Sequence, residues 1–451
     1  MLSKEDNDIL TQTDRGTPMG EVFRRYWIPV LLSEEIPLPD CPPVRFRVLG
    51  EDLLGFRDSD GRVGVIDPHC PHRGAPLFFG RNEESGIRCL YHGWKFDVDG
   101  ACVDMPNVPN GDIMKNRMRT IAYPAVEQAG MVWAYMGPEE RKPPLPNFAF
   151  FDLPEENCYV TKYELECNWL QAHEGDFDST HGMFVHSGKP DAPVAVHALG
   201  DRIPRTLPGY DTPIGHMHIT ARWLGDGTMR VSGTQIVFPS TCPPGTGSGN
   251  GVFAANIRIP IDDAHEWHFR LRYAKRRPLT KRELLEFKMN GFAYDFHEPD
   301  GWRAKGNKDN DYLMDRILQR QFSYSGLTAF QRQDAAMLED QWGAICDRTK
   351  EHLVAPDISI VQQRNRLLMM AKNLAAGKEP EEPFLLASMP INQQLPEPLD
   401  PVPAGTSLDE ETAEKIARIM KTARIPDYAQ AYDDNSLREF ANRTWDTVEE
   451  L

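Results

Sequence analysis

Two short pairs of residues carry metal chemistry: Cys70-Pro71-His72 and, sixteen residues later, Cys89-Leu90-Tyr91-His92. Each puts one thiol and one imidazole on a short loop, and two such loops facing one another can hold a metal centre. A single zinc ion is one reading of a Cys2His2 set. Zinc fingers, however, usually keep like residues together, whereas each half here holds one Cys and one His. That alternation suits a [2Fe-2S] cluster with both Cys on one iron and both His on the other, the neutral imidazoles raising its potential over an all-thiolate cluster. Gly74, Gly86 and Gly93 allow the tight turns that bring the loops together. His69 falls outside the pattern and reads as a surface residue.

A second group is Asp178-Ser179-Thr180-His181, with His186 after four further residues. By itself this spacing is a weak signal. Residues Cys167 to His186 read as helical, and on a helix two histidines five positions apart share a face only if the helix bends or widens. Two imidazoles and one carboxylate on one face of an octahedron leave positions open for dioxygen and substrate, the 2-His-1-carboxylate arrangement of non-haem Fe(II) sites.

The text around both groups resembles a known family. Cys70-Pro71-His72-Arg73-Gly74-Ala75-Pro76-Leu77 and Cys89-Leu90-Tyr91-His92-Gly93-Trp94-Lys95-Phe96 resemble the two cluster-binding boxes of Rieske-type non-haem iron oxygenases. The run Cys167-Asn168-Trp169 leading to Asp178 is similar to the approach to their mononuclear iron motif. The stretches Gly16 to Trp27, Gln331 to Asp334 and Cys346 to Leu353 resemble the phthalate dioxygenase branch, which includes O-demethylases such as the 5,5'-dehydrodivanillate enzyme.

The resemblance implies that Cys70, His72, Cys89 and His92 bind a Rieske [2Fe-2S] cluster, and that His181 and His186 bind a mononuclear Fe(II). Asp178 is then not a ligand but a bridge towards the Rieske histidine of a neighbouring subunit. The carboxylate ligand comes later, as an Asp followed five residues on by Glu. Asp334 with Glu339 fits, ahead of Asp340 and Asp347. The resemblance further implies an oxygenase (alpha) subunit in a homotrimer or stacked-trimer hexamer. It would use O2 and take electrons from a reductase carrying flavin and a ferredoxin-type cluster, or from a separate ferredoxin. The implied reaction is hydroxylation of an aromatic, carboxylated substrate, with O-demethylation of a methoxy-aromatic acid as the alternative. Phthalate-type enzymes are expected to grip ring carboxylates with arginines. Arg205, Arg222 and Arg230 are candidates here, without an aligned pair. Asn168 is a further candidate contact, as are His216, His218 and Arg222, which share a period-2 strand pattern.

Positioning these residues requires an α+β chain: an N-terminal all-β Rieske domain and a helix-grip-like α+β catalytic domain with a C-terminal helical tail. The expected divisions are an N-terminal helical segment (1–40), the cluster domain (41–146), the catalytic domain (147–390) and the tail (391–451). Alternation in Val44 to Leu49 and turn residues at Asp58-Ser59-Asp60-Gly61 mark short strands. Pro143-Pro144-Leu145-Pro146 and Lys378 to Pro383 mark boundaries. Ile214 to Ile259 and His265 to Tyr273 read as strands, and Tyr312 to Met370 as long helices. Ser407-Leu408-Asp409-Glu410 is a capping box opening a helix through Thr422.

Composition excludes other roles. The 451 residues hold 50 Lys+Arg against 67 Asp+Glu, a net charge of −17, and no basic block exceeds Lys275-Arg276-Arg277, so no nucleic-acid partner is expected. No stretch approaches the ~20 apolar residues of a membrane span, and the polar start Met1 to Asp8 is unlike a signal peptide. The expected setting is a reducing cytoplasm, where grouped Cys and His bind metals and the other six of the 8 cysteines are buried thiols. An anionic aromatic acid would enter against the overall field, so its carboxylate needs a local arginine.

Overall fold

The computed structural model describes residues 2–109, 111–187, 204–223, 228–242, 251–289, 301–321, 323–389 and 402–403. The chain opens with helices α1 (Lys4–Thr11) and α2 (Pro18–Arg24). Thr17 caps α2, its hydroxyl accepting from the Gly20 N–H, and Pro18 takes the first turn, where its missing N–H costs nothing. The helical segment expected through residue 40 stops here. Trp27–Leu32 is strand β1, antiparallel to β11 (Met131–Tyr135), and Pro29 sits at a register shift where a ladder donor is dispensable.

The cluster half is built on β-strands. Strands β2 (Val44–Val48), β3 (Glu51–Arg57), β4 (Val63–Ile66) and β9 (Ala122–Tyr123) form one sheet in that order. Strands β5 (Arg81–Asn82), β6 (Ile87–Arg88), β7 (Lys95–Phe96) and β8 (Cys102–Asp104) form a second, small sheet. β10 (Ala125–Gln128) and β11 (Met131–Tyr135) join β1 in a third, and the short helix α3 (Gly111–Lys115) lies between β8 and β9.

The catalytic half is built on one large antiparallel sheet: β12 (Cys158–Leu165), β13 (Arg205–Thr212), β14 (Gly215–Trp223), β15 (Thr228–Val237), β16 (Thr241–Cys242), β17 (Val252–Asp262) and β18 (His265–Ala274), in spatial order 12-18-17-16-15-14-13. β19 (Val402–Pro403) pairs with β15 and is the only described part of the expected tail; the capping box at Ser407 lies outside the described residues. Strand β18 alternates strictly. Trp267, Phe269, Leu271 and Tyr273 enter the main core, which joins both halves of the chain through Phe23, Trp133, Ile257 and Leu367. Glu266, His268 and Arg270 point to the opposite face and are also buried. The sheet therefore carries an apolar face towards the core and a polar face towards the helices.

Those helices are α4 (Trp169–Phe177), α5 (Lys281–Met289), α6 (Arg316–Gln321), α7 (Phe330–Leu338), α8 (Ile358–Ala375) and α9 (Glu382–Ser388). The long helices expected over 312–370 are mostly broken into short ones, at Ser323 to Gly326, where Gly326 has φ +73°, and at Trp342-Gly343, both at positive φ. Only α8 is long. The helix expected over 167–186 ends at Phe177, and His181–Met183 form a separate 3-10 turn. Among the described residues no helix is long and apolar enough to cross a membrane.

Candidate metal centres

The two Cys–His loops are close copies of one another. In the first, Cys70 N–H donates to the Ala75 carbonyl (2.8 Å) and Gly74 N–H to the Cys70 carbonyl (2.9 Å). In the second, Cys89 N–H donates to the Trp94 carbonyl (2.8 Å) and Gly93 N–H to the Cys89 carbonyl (3.0 Å). Gly74 and Gly93 close these turns at φ +69° and +79°, a conformation that favours glycine. The loops face each other: the His72 and His92 rings lie 4.5 Å apart, and Trp94 stacks on His72 at 4.4 Å. Both cysteines are buried, and neither is in a disulfide. Burial pushes the Cys70 thiol up to about 11; a backbone hydrogen bond from His72 opposes this, and the neighbouring Cys89 adds to it. Two crowded thiols beside two imidazoles form a donor set that a bound metal relieves of its protons, so the residues fit a Cys2His2 iron–sulfur cluster. His69, outside the pattern, is exposed as expected.

The second site gathers residues from distant parts of the chain. α4 begins at Asn168, whose side chain accepts from the Leu170 N–H, and ends at Asp178. Asp178 Oδ1 accepts from the Thr180 N–H and hydroxyl, both at 2.8 Å, and this local turn replaces the next helical hydrogen bonds. The chain then delivers His181 and His186 towards α7. His186 Nε2 lies 3.0 Å and His181 Nε2 3.6 Å from Asp334 Oδ1. Donor atoms of all three residues lie within 4.8 Å of one another. A metal–nitrogen bond of about 2.1 Å places neighbouring ligands about 3 Å apart, so the cavity is of the right size. His186 Nε2 is buried without a hydrogen-bond partner, an orphan that a cation would satisfy. Burial raises Asp334, but His181 and His186 outweigh it and hold the carboxyl far below the usual carboxylate range, so Asp334 is ionised. The donor set fits a mononuclear Fe(II) with open positions.

Asp334 points inward as its helical position implies, with Leu338 one turn on packed towards Gly175 of α4. Gln171 of α4 donates to the Leu338 carbonyl (2.7 Å) and fixes the end of α7. Glu339 accepts from the Glu166 N–H and the Tyr312 hydroxyl. The competitors fall elsewhere: Asp340 is exposed, and Asp347 caps the turn at Arg348–Lys350.

The substrate candidates fare differently. Asn168 is fully buried, and its amide also donates to the Thr11 and Asp263 carbonyls, so it is a structural cap rather than a substrate contact. Arg205 is exposed at the start of β13. Arg222 pairs with Arg230 in the β14–β15 ladder, and both side chains lie outside the described residues. His216 and His218 are buried, bonded through Nδ1 to Asp211 (3.2 Å) and to Ser359 of α8 (2.7 Å). The structure adds residues that composition did not point to. Phe330 stacks on His186 at 3.6 Å, Gln333 Oε1 meets His186 Nδ1 at 2.7 Å, and the Arg270 guanidinium lies 5.8 Å from the Phe330 ring. The signal for Arg270 was present, since Glu266, His268, Arg270 and Arg272 alternate with apolar residues along β18.

Comparisons with known proteins agree with this architecture. A family model described as the Rieske [2Fe-2S] domain matches residues 26–124, and one described as LigXa C-terminal domain like matches 134–200 and 231–383. The 3-chlorobenzoate-3,4-dioxygenase oxygenase subunit of Comamonas testosteroni is 36% identical over 395 residues, 82% of this chain and 88% of that protein. The phthalate 4,5-dioxygenase oxygenase subunit of Pseudomonas putida is 36% identical over 393 residues, covering 84% and 88%. The 5,5'-dehydrodivanillate O-demethylase oxygenase subunit of Sphingobium sp. (strain NBRC 103272 / SYK-6) is 28% identical over 435 residues, covering 91% and 90%. Among solved structures, the terminal oxygenase of carbazole 1,9a-dioxygenase from Nocardioides aromaticivorans IC177 shares the fold, with TM-score 0.52 at 19% identity over 81% of this chain and 99% of that one. The chain belongs to the Rieske non-haem iron oxygenases. Within them it is an oxygenase of the branch holding the phthalate dioxygenase and dehydrodivanillate O-demethylase oxygenase subunits, with a Rieske [2Fe-2S] domain and a catalytic domain of the kind that carries mononuclear iron.

Proposed function

We propose that this chain is the terminal oxygenase of a multicomponent system that hydroxylates a carboxylated aromatic compound. Cys70, His72, Cys89 and His92 hold the [2Fe-2S] cluster, and His181, His186 and Asp334 hold Fe(II). The observation that carries this reading is the convergence of His181, His186 and Asp334 on one half-buried point. When bound, the cluster relays electrons singly and the iron activates dioxygen. The protein's own part is geometry and field. Asp178 fixes the backbone before His181 and keeps its second oxygen 3.8 Å from His181 Nδ1, on the side away from Asp334, where it bridges to the Rieske histidine of a neighbouring subunit. Phe330 walls one face of His186 and keeps water from it.

Arg270 meets the substrate carboxylate. Burial lowers its guanidinium from the ordinary value while Tyr163 and Asp334 act to raise it, and its place 5.8 Å from the Phe330 ring sets a positive charge beside the wall of the metal site. The named substrates of two relatives, 3-chlorobenzoate and phthalate, are aromatic acids, which supports this class. The electron donor is a flavin- and ferredoxin-type reductase or a separate ferredoxin. The subunits form a trimer or a stacked pair of trimers.

The test is a screen of aromatic acids and methoxy-aromatic acids with a surrogate reductase, scoring ring diols against formaldehyde. Diol from an aromatic acid is expected. Formaldehyde would place the chain with O-demethylation instead, and a colourless preparation containing zinc would refute the oxygenase reading.

A further inference from the structure

Gln333 decides which nitrogen of His186 faces the metal site. Its amide cannot turn over freely, because Nε2 donates to the Leu327 carbonyl at 2.7 Å, and a carbonyl can only accept. Oε1 is therefore the atom 2.7 Å from His186 Nδ1, and it can only accept. The imidazole must carry its proton on Nδ1. In the neutral ring, the form that binds a metal, that leaves the lone pair on Nε2, the atom 3.0 Å from the Asp334 carboxylate. In that form two acceptors face each other across a half-buried gap, an arrangement that repels unless a cation, a proton or a metal ion, lies between them.

The support behind Gln333 is itself closed into a ring. Leu327 is nearly buried and follows Gly326, whose carbonyl accepts from the Asp315 N–H (3.0 Å). From the same loop, Tyr324 N–H donates to the carbonyl of Ser187, the residue next to His186 (3.0 Å). His186, Gln333, Leu327, Tyr324 and Ser187 therefore form one continuous circuit, and the imidazole is held from its ring edge and from its backbone. Gln333 is itself mostly buried, so water does not replace its amide.

We propose that Gln333 is the positioning residue that fixes the Nδ1–H form of His186 and so sets the affinity of the site for Fe(II). The proposal rests on the triad reading above. It is tested on the full chain after mild chelation has removed the mononuclear iron and left the cluster, by equilibrium dialysis against chelator-buffered Fe(II), counting iron beyond the cluster's own. Gln333→Met keeps the length but removes the acceptor and should weaken Fe(II) binding about 10- to 100-fold, the usual effect of losing such a partner. Gln333→Glu keeps an acceptor for Nδ1–H, with its second oxygen donating to the Leu327 carbonyl when protonated, and should bind within about threefold of the parent, a rescue that loss of packing would not give. The cluster's visible spectrum should be the same in all three proteins. A Met variant as tight as the parent would overturn the proposal, as would a Glu variant as weak as the Met variant. If the Met variant does not fold, the Glu variant decides: a tenfold loss there refutes the acceptor role. A parent chain that takes up no further iron would refute the triad reading instead.

Discussion

Asp178→Asn separates a bridging carboxylate from a ligand. The substitution preserves shape: Oδ1 still accepts from the Thr180 N–H and hydroxyl, so the turn that presents His181 survives. What changes is the second oxygen, 3.8 Å from His181 Nδ1, which becomes an uncharged NH2. With a full positive charge on the ring, the upper bound for an imidazole that shares an iron's charge, the two would interact by about 4 kcal/mol at an effective dielectric near 20. Both side chains are close to a third exposed, so solvent reduces this to about 2–3 kcal/mol. If that interaction supports the reduced and oxidised states unequally, at 1.4 kcal/mol per decade turnover falls roughly 30- to 150-fold. The assay is oxygen uptake with a surrogate reductase, read beside iron content and the cluster's visible and EPR spectra. Both iron centres should remain at parental levels. Parental turnover would remove the bridging role. Loss of the non-cluster iron would make Asp178 part of the metal site, contrary to its geometry, in which Asp334 is the carboxylate that meets both His Nε2 atoms.

Other outcomes follow from the same structure. Asp334→Ala should yield a brown protein that keeps its cluster iron, lacks the further iron and is inactive; elemental analysis decides, and retention of that iron would exclude Asp334 as a ligand. Arg270→Gln should raise KM for carboxylated aromatics about 10- to 100-fold, the worth of one charged hydrogen bond, with iron content unchanged; an equal KM would exclude Arg270 from carboxylate recognition. His173 and His218 are neutral in the fold, since burial pushes both down to about 4 from 6.5. The unfolded chain therefore binds more protons between those values, and stability present above pH 6.5 is lost as pH falls towards 4, by about 3 kcal/mol per histidine. Urea denaturation from pH 7 to 4.5 should show this slope, and His218→Gln should flatten part of it; an unchanged slope would exclude His218 as its source.

The cluster loops were legible because their chemistry is local. Cys70, His72 and Gly74, then Cys89, His92 and Gly93, lie within two short turns, so residue type and spacing state the whole arrangement. The second site was only half legible. His181 and His186 show in the text, but their expected helix does not exist beyond Phe177, because the Asp178 carboxylate takes the Thr180 N–H and breaks the helical ladder. Asp334 was reachable through family resemblance but not through spacing, since only the packing of α7 on α4 brings it to the histidines. Asn168 illustrates the reverse error. It stands among the candidate substrate contacts, whereas an asparagine at a helix start is first of all a cap. Gln333 and Arg270 were not found at all. An amide gives no charge or period to detect, and Arg270 lay in an alternation read only as strand.

The two donor sets differ in how far along the chain they reach, and that sets an order of assembly. The cluster residues sit on adjacent loops, so a nascent chain can present them before its second half has been made. His186 and Gln333 are 147 positions apart, and the site they share exists only after the large sheet and α7 have closed. Maturation should therefore run from colour to activity. Under gentle denaturation the sequence reverses: the chain releases its lone iron and falls silent while still brown, so colour alone is a poor measure of how much competent enzyme a preparation contains.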